Sequence, residues 1–103
     1  PQALALFGSL AAAREAGGDV EGALVATREG LKSIAAASGR GSHPWRALLR
    51  NRIATLERAE RFEEALALAT ELVETTPSDS DDIEPNRALL DGLRQRVDAA
   101  ALE

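Results

Sequence analysis

PWRALLRNRIATLERAERFEEALALATELVETTP, residues Pro44 to Pro77, is the stretch whose reading decides the fold. Its first half sets Trp45, Leu49, Ile53 and Leu56 at steps of four, four and three, which lines one face of a helix. Phe62, Ala65, Leu66, Ala69, Leu72 and Val73 do the same in the second half. Around Glu60 and Arg61 the stripe loses phase, so the two halves read as a helix–turn–helix hairpin and not as one long helix. Pro44 fits the first turn of a helix, where its missing N–H costs nothing. Pro77 falls where the second helix must stop.

The same pattern extends outward on both sides. Residues 2–16 form a first helix with Ala3, Phe7, Leu10 and Ala11 on one stripe. Gly17-Gly18 breaks it, and Asp19 suits the N-cap of a second helix running from about Val20 to Ala37. That helix turns Val20, Ala23, Leu24, Thr27, Leu31, Ile34 and Ala35 one way, and Ser38 to Ser42 make a loop leading to Pro44. The two hairpins superimpose in sequence: Phe7 on Leu49, Val20 on Phe62, Ala23 on Ala65 and Leu24 on Leu66, each 42 residues apart. After an acidic loop, Pro85 opens a further helix carrying Leu89, Leu90, Leu93 and Val97. Pro1, Pro44 and Pro85 each precede a helix of the first type. A recurring helical unit predicts an all-α, antiparallel helix-hairpin solenoid of about five helices. It divides one domain, residues 1–103, into a first repeat over 1–42, a second over 43–84 and a half repeat or capping helix over 85–101.

The central hairpin also resembles the tetratricopeptide repeat (TPR) family. In RFEEALALATELVETTP, Phe62 matches the family's aromatic, Ala65 the small residue one turn later and Pro77 the closing proline. The first helix of the hairpin departs from the family pattern. Leu49 stands where Trp is usual, Arg52 where Leu is preferred, and Ile53 where Gly or Ala is preferred. The 42-residue period exceeds the usual TPR length of about 34. Its long second helix and a loop ending in His43-Pro44 resemble the kinesin-light-chain type of repeat, also common in bacterial regulators. The resemblance implies a right-handed superhelix whose first-type helices line a concave groove for a partner peptide or helix.

Composition bounds the alternatives. Hydrophobic residues make up 45% of the 103, but aromatics only 3%, so the core is built from Ala, Leu, Val and Ile in close-packed helices. Without cysteine there are no disulfides or thiolate metal sites. No apolar run reaches a membrane span and no signal peptide is legible, so the reading is a cytoplasmic protein that does not engage membranes. A net charge of −5 argues against nucleic acid, whose phosphates need a basic face. Eleven of the twelve basic residues are arginine, the usage of a GC-rich bacterial source. The start inside a helical pattern at Pro1 and the closing Leu102-Glu103 read as an excised piece of a longer protein.

No catalytic set is legible. His43 is the only histidine and has no Ser or carboxylate at the spacing of a triad or metal site. The acidic run Ser78-Asp79-Ser80-Asp81-Asp82 lacks the central Gly of a calcium loop, and Glu84 comes too early, leaving weak cation binding at most. Gly17-Gly18 and Gly39-Arg40-Gly41 are turns, with no strand before them and no Lys-Ser/Thr pair to hold phosphate. The expectation is a non-enzymatic protein without cofactor or metal.

What remains is the groove that the resemblance implies. Its first helix presents Ala5, Gly8, Ser9, Ala12 and Glu15; its central helix presents Ala47, Arg50, Asn51, Ala54, Glu57 and Arg58; its third presents Ala88, Asp91, Gly92, Gln95 and Asp98. Arg46, Arg50 and Arg58 lie away from the apolar stripe, where they either attract an acidic peptide or solubilise the surface through pairs such as Glu57–Arg61. Gly8 and Gly92 each cost a helix about 1 kcal/mol against Ala, and such residues mark close approach of another backbone, tight helix packing or simple drift. Of the residues with which some TPR domains grip a C-terminal carboxylate, only Asn51 is present. Gly8, Ala12, Ala88 and Gly92 leave the other places empty. The leading expectation is thus a protein-interaction module binding a peptide or helix, supplied by a partner or by the parent protein. Its rival is structural: an oligomerisation or spacer module whose unpaired last helix, without a polar cap, self-associates, as a homodimer, through Leu89, Leu90, Leu93 and Val97.

Overall fold

The computed structural model describes residues 2–102. It is all-helical, with α1 (Gln2–Ala16), α2 (Val20–Ser38), α3 (His43–Arg58), α4 (Phe62–Thr75) and α5 (Ile83–Ala101), and no strand among the described residues. Pro1, expected to precede α1, and Glu103 lie outside them.

The helix ends have local causes. Asp19 caps α2, its Oδ1 accepting from the Gly22 N–H at 2.8 Å. Pro44 is the second residue of α3 and Pro85 the third of α5, within the first turn, where backbone N–H groups have no intrahelical acceptor. α5 therefore begins two residues before the proline expected to open it. Thr76, the residue before Pro77, takes the extended backbone that a following proline favours (φ −92°, ψ 124°), and α4 stops there.

The repeat is written into the hairpin turns. Asp19 N–H donates to the Arg14 carbonyl at 2.8 Å, and 42 residues on Arg61 N–H donates to the Leu56 carbonyl at 2.9 Å. Gly18 N–H to Glu15 and Glu60 N–H to Glu57 repeat in the same register, at 2.9 and 3.0 Å. Both turns need a left-handed residue, and they fill it differently: Gly18 sits at φ 86°, whereas Glu60 is held at φ 59°.

Short connections make sequential helices antiparallel neighbours, and α1 also lies beside α3. α1 and α3 run parallel, since Gly8 faces Asn51 at one level and Glu15 meets Arg58 at another. Between α2 and α3 the approach is close enough that Gly30 leaves no room for a side chain. A Cβ there falls 2.6 Å from both Phe7 Cβ and Leu48 Cδ2. The core runs from Leu24 and Ile34 through Trp45, Leu48, Leu49, Ile53 and Leu56 to Leu72, Leu90 and Leu93. Arg40 stacks on Trp45 at 5.2 Å from the ring centroid.

Two expectations about the ends of the chain are corrected. Leu90 and Leu93, assigned to self-association, are only 7% and 1% exposed, and Leu89 and Val97 are half-buried. The seven-residue connection after α4 lets α5 fold back along it, so the stripe is spent inside the chain. Asn86 fixes the fold-back, donating to Thr76 Oγ1 at 3.0 Å, while the Thr76 hydroxyl donates to the Leu72 carbonyl at 2.6 Å. The outer side of α5 exposes Arg87, Asp91, Arg94 and Asp98, so this side of the helix is polar. At the other end Leu10, expected on the buried stripe of α1, is 38% exposed and Leu6 is 64% exposed. α1 packs on α2 and α3, and these two leucines occupy a side that neither covers.

Candidate functional site

A cleft of about 200 Å³ runs between α1 and α3. Small residues make it possible. Gly8, Ala12 and Ala54 keep its walls low, and Asn51 stands exposed at its edge. A Cβ on Gly8 would lie 3.5 Å from Asn51 Nδ2, an ordinary contact, so this glycine opens the cleft without being forced by crowding.

One end of the cleft is closed by an ion pair. Arg58 Nε and Nη2 donate to the two Glu15 carboxylate oxygens at 2.6 and 2.8 Å, and Thr55 Oγ1 donates to Glu15 Oε1 at 3.0 Å. The fork geometry of guanidinium on carboxylate is the strong form of this contact. The Arg58 hydrogen bonds hold the Glu15 carboxyl below its ordinary pKa although burial pushes the other way; Glu15 in turn raises Arg58.

The expected groove residues separate into two groups. Gly8, Ala12, Asn51, Ala54 and Arg58 come together around the cleft. Ala47 and Arg50 lie on α3 outside its lining, both half-buried, and Arg50 has no ion-pair or hydrogen-bond partner among the described residues. Asp91, Gly92 and Gln95 are exposed on α5, whose close backbone contacts are with α4 alone, so they do not border the cleft. Tight helix packing, one of the expectations at Gly92, is corrected: a Cβ there meets nothing within 4 Å. Gly30 is where helices crowd, a position that periodicity reads simply as one more small residue.

The central arginines are largely engaged within the chain. Arg46 Nη1 donates to the Thr75 carbonyl at 3.2 Å, tying the start of α3 to the end of α4 instead of facing outward. Arg52 reaches across to α2, donating to Thr27 Oγ1 at 3.0 Å and to the Leu24 carbonyl. Burial, and after it the charge of Arg28, lowers the Arg52 pKa. The Glu57–Arg61 pair does not form, because α3 ends at Arg58 and the two residues no longer share a helix; Arg61 pairs with Glu64 at 2.8 Å and with Glu21. Thr55, which completes the Glu15 network, was not legible as a site residue. A pairing of Glu15 with Arg58 was within reach, since they stand one period plus one residue apart.

A second cleft, about 400 Å³, lies between the α3–α4 turn and the end of α5. Phe62 and Val97 form part of its wall, and Arg96 stacks on Phe62 at 5.1 Å. His43, the first residue of α3, is exposed. In the acidic loop Ser80 Oγ accepts from Asp82 N–H, and among the described residues no three His, Cys, Asp or Glu side chains converge on a common point. Among the same residues no helix is long and apolar enough to cross a membrane. Compared with protein-family models, curated proteins and solved structures, the chain finds no match.

Proposed function

We propose that this chain is a protein-interaction module of TPR-like, right-handed solenoid design, which holds a peptide or helix in the α1–α3 cleft without catalysing a reaction. The observation that carries this reading is the placement of α1 beside α3 in parallel, with Gly8 and Ala12 of α1 opposite Asn51 and Ala54 of α3 along the cleft. A trough of small residues admits a backbone closely, and an exposed carboxamide offers both a donor and an acceptor to it. The Glu15–Arg58 pair sets one boundary and leaves little net charge there. Arg50, unpaired among the described residues, is the cation left to favour an acidic residue at the margin. A cytoplasmic setting and a partner segment from the same parent protein are both compatible with this reading.

Selection from a random peptide library, followed by titration calorimetry, tests it. Peptides enriched on the parent chain should lose at least about tenfold in affinity against Gly8→Leu or Asn51→Ala, the worth of roughly 1.4 kcal/mol. Circular dichroism should show both variants folded. Peptides that bind both folded variants as tightly as the parent would rule the cleft out as their site.

A further inference from the structure

The matched turns put the two hairpins in one register, 42 residues apart, so each position of α1 has a counterpart in α3. Leu6 corresponds to Leu48, Leu10 to Arg52 and Ala13 to Thr55. In α3 these three positions form the face that docks on the preceding hairpin. Leu48 is fully buried against Gly30, Arg52 donates to Leu24 and Thr27 of α2, and Thr55 donates to Glu15 of α1. In α1 the same face is apolar and uncovered, with Leu6 64% and Leu10 38% exposed. It carries no charge: Arg14 and Glu15, the only charged residues of α1, are both half-buried, the first donating to the Gly22 carbonyl and the second bound by Arg58.

We propose that the Leu6–Leu10–Ala13 face of α1 is the seat of a further helical hairpin of the same repeat, stacked ahead of α1 as α1–α2 is stacked ahead of α3. The seat continues the row of contacts already made between the two hairpins. A second copy of the chain stacked head to tail fits it poorly, because the opposite end of the molecule presents Arg87, Asp91, Arg94 and Asp98. A free-standing two-fold pair of α1 helices fits little better. One 15-residue helix with two exposed leucines falls short of the roughly 1,200 Å² that stable association between separate chains buries. A tethered hairpin escapes that requirement, since the tether supplies a high effective concentration. This inference does not depend on the α1–α3 cleft binding a peptide.

The test joins a copy of residues 1–42 directly ahead of the full chain, so that the loop after its second helix leads into α1 as residues 39–42 lead into α3. Thermal unfolding of the extended chain should be a single transition, raised by about 5 °C or more over the parent. Leu6→Lys with Leu10→Lys in the original α1 should leave the 103-residue chain unchanged and abolish the gain in the extended one. A 42-residue Gly/Ser segment in place of the copy should give no gain. Two independent transitions, or a gain that survives the lysines, would overturn the proposal. So would light scattering that shows the parent chain to be a dimer dissolved by the same substitutions, which would assign the face to a second copy.

Discussion

Replacing Gly30 by Ala should destabilise the chain, against the ordinary preference of a helix for alanine. In the middle of α2 the exchange gains about 1 kcal/mol from backbone propensity. The new Cβ, however, falls 2.6 Å from Phe7 Cβ, 2.6 Å from Leu48 Cδ2 and 2.8 Å from Phe7 Cγ. Carbon atoms rest at about 3.5–4.0 Å, so the overlap is near 1 Å on two sides. The Leu48 methyl ends a flexible side chain but is fully buried, with no solvent to swing into. Phe7 Cβ is attached to the α1 backbone, so relief there means moving α1 away from α2. Overpacking of this kind costs about 1–3 kcal/mol and, with a displaced helix, sits at the upper end. The net loss should be about 1–2 kcal/mol, a fall in Tm of roughly 4–8 °C per kcal/mol for a domain of this size. Gly92→Ala is the internal control: its Cβ meets nothing within 4 Å, and the propensity gain should appear undiminished, near 1 kcal/mol. Urea unfolding followed by circular dichroism measures both. A shift of the same sign for the two variants would refute the reasoning, because it would mean that helix propensity, and not packing at Phe7 and Leu48, decides position 30.

Glu60→Gly should stabilise by about 1 kcal/mol, since Glu60 holds the left-handed conformation at φ 59° that Gly18 holds in the first hairpin; urea midpoints read it, and no gain would mean the glutamate is otherwise rewarded there. Glu15 has its folded pKa lowered by Arg58, so its contribution is present above the unfolded carboxyl value and is lost as pH falls through the folded one; Glu15→Gln should remove that part of the acid limb of a stability–pH curve, which would otherwise keep its shape. Leu93→Ala should cost about 2–5 kcal/mol in denaturant unfolding while leaving the mass in dilution-series light scattering unchanged, because Leu93 is a core residue; a dimer converted to monomer with stability intact would return it to an interface.

The helices, their order and the hairpin register were legible because they rest on local signals. The apolar steps Trp45–Leu49–Ile53–Leu56, the prolines at 44, 77 and 85 and the Asp19 cap each act within a few residues. Which faces meet was less legible, because it depends on neighbours. Leu10 belongs by periodicity to the stripe of Phe7, yet α1 has apolar residues on several sides and a helix of that kind does not declare its buried face. Gly92 and Gly30 look alike in the sequence, and only the packing of Phe7 and Leu48 tells them apart. The arginines misled for a related reason. A long side chain can turn inward to a carbonyl, as Arg46 does, from a position that reads as surface.

The candidate groove shows the same division between local and non-local information. Gly8 and Ala12 were placed together with Asn51 and Ala54 because two equal hairpins related by one offset bring equal positions, to within a residue, side by side. The third set failed because α5 is not an equal of α1 and α3. It follows a seven-residue connection and packs by its backbone on α4 alone, where α3 packs on both helices of the hairpin before it. A helix that only covers its predecessor need not carry groove residues, and its outer face is free to be polar, as Arg87, Asp91, Arg94 and Asp98 make it. The chain is therefore unlike at its two ends. The α5 end is finished in charge, whereas the α1 end exposes Leu6 and Leu10 at the positions that the second hairpin uses to stack on the first. That asymmetry is one of surface chemistry, an apolar face on α1 against a charged one on α5.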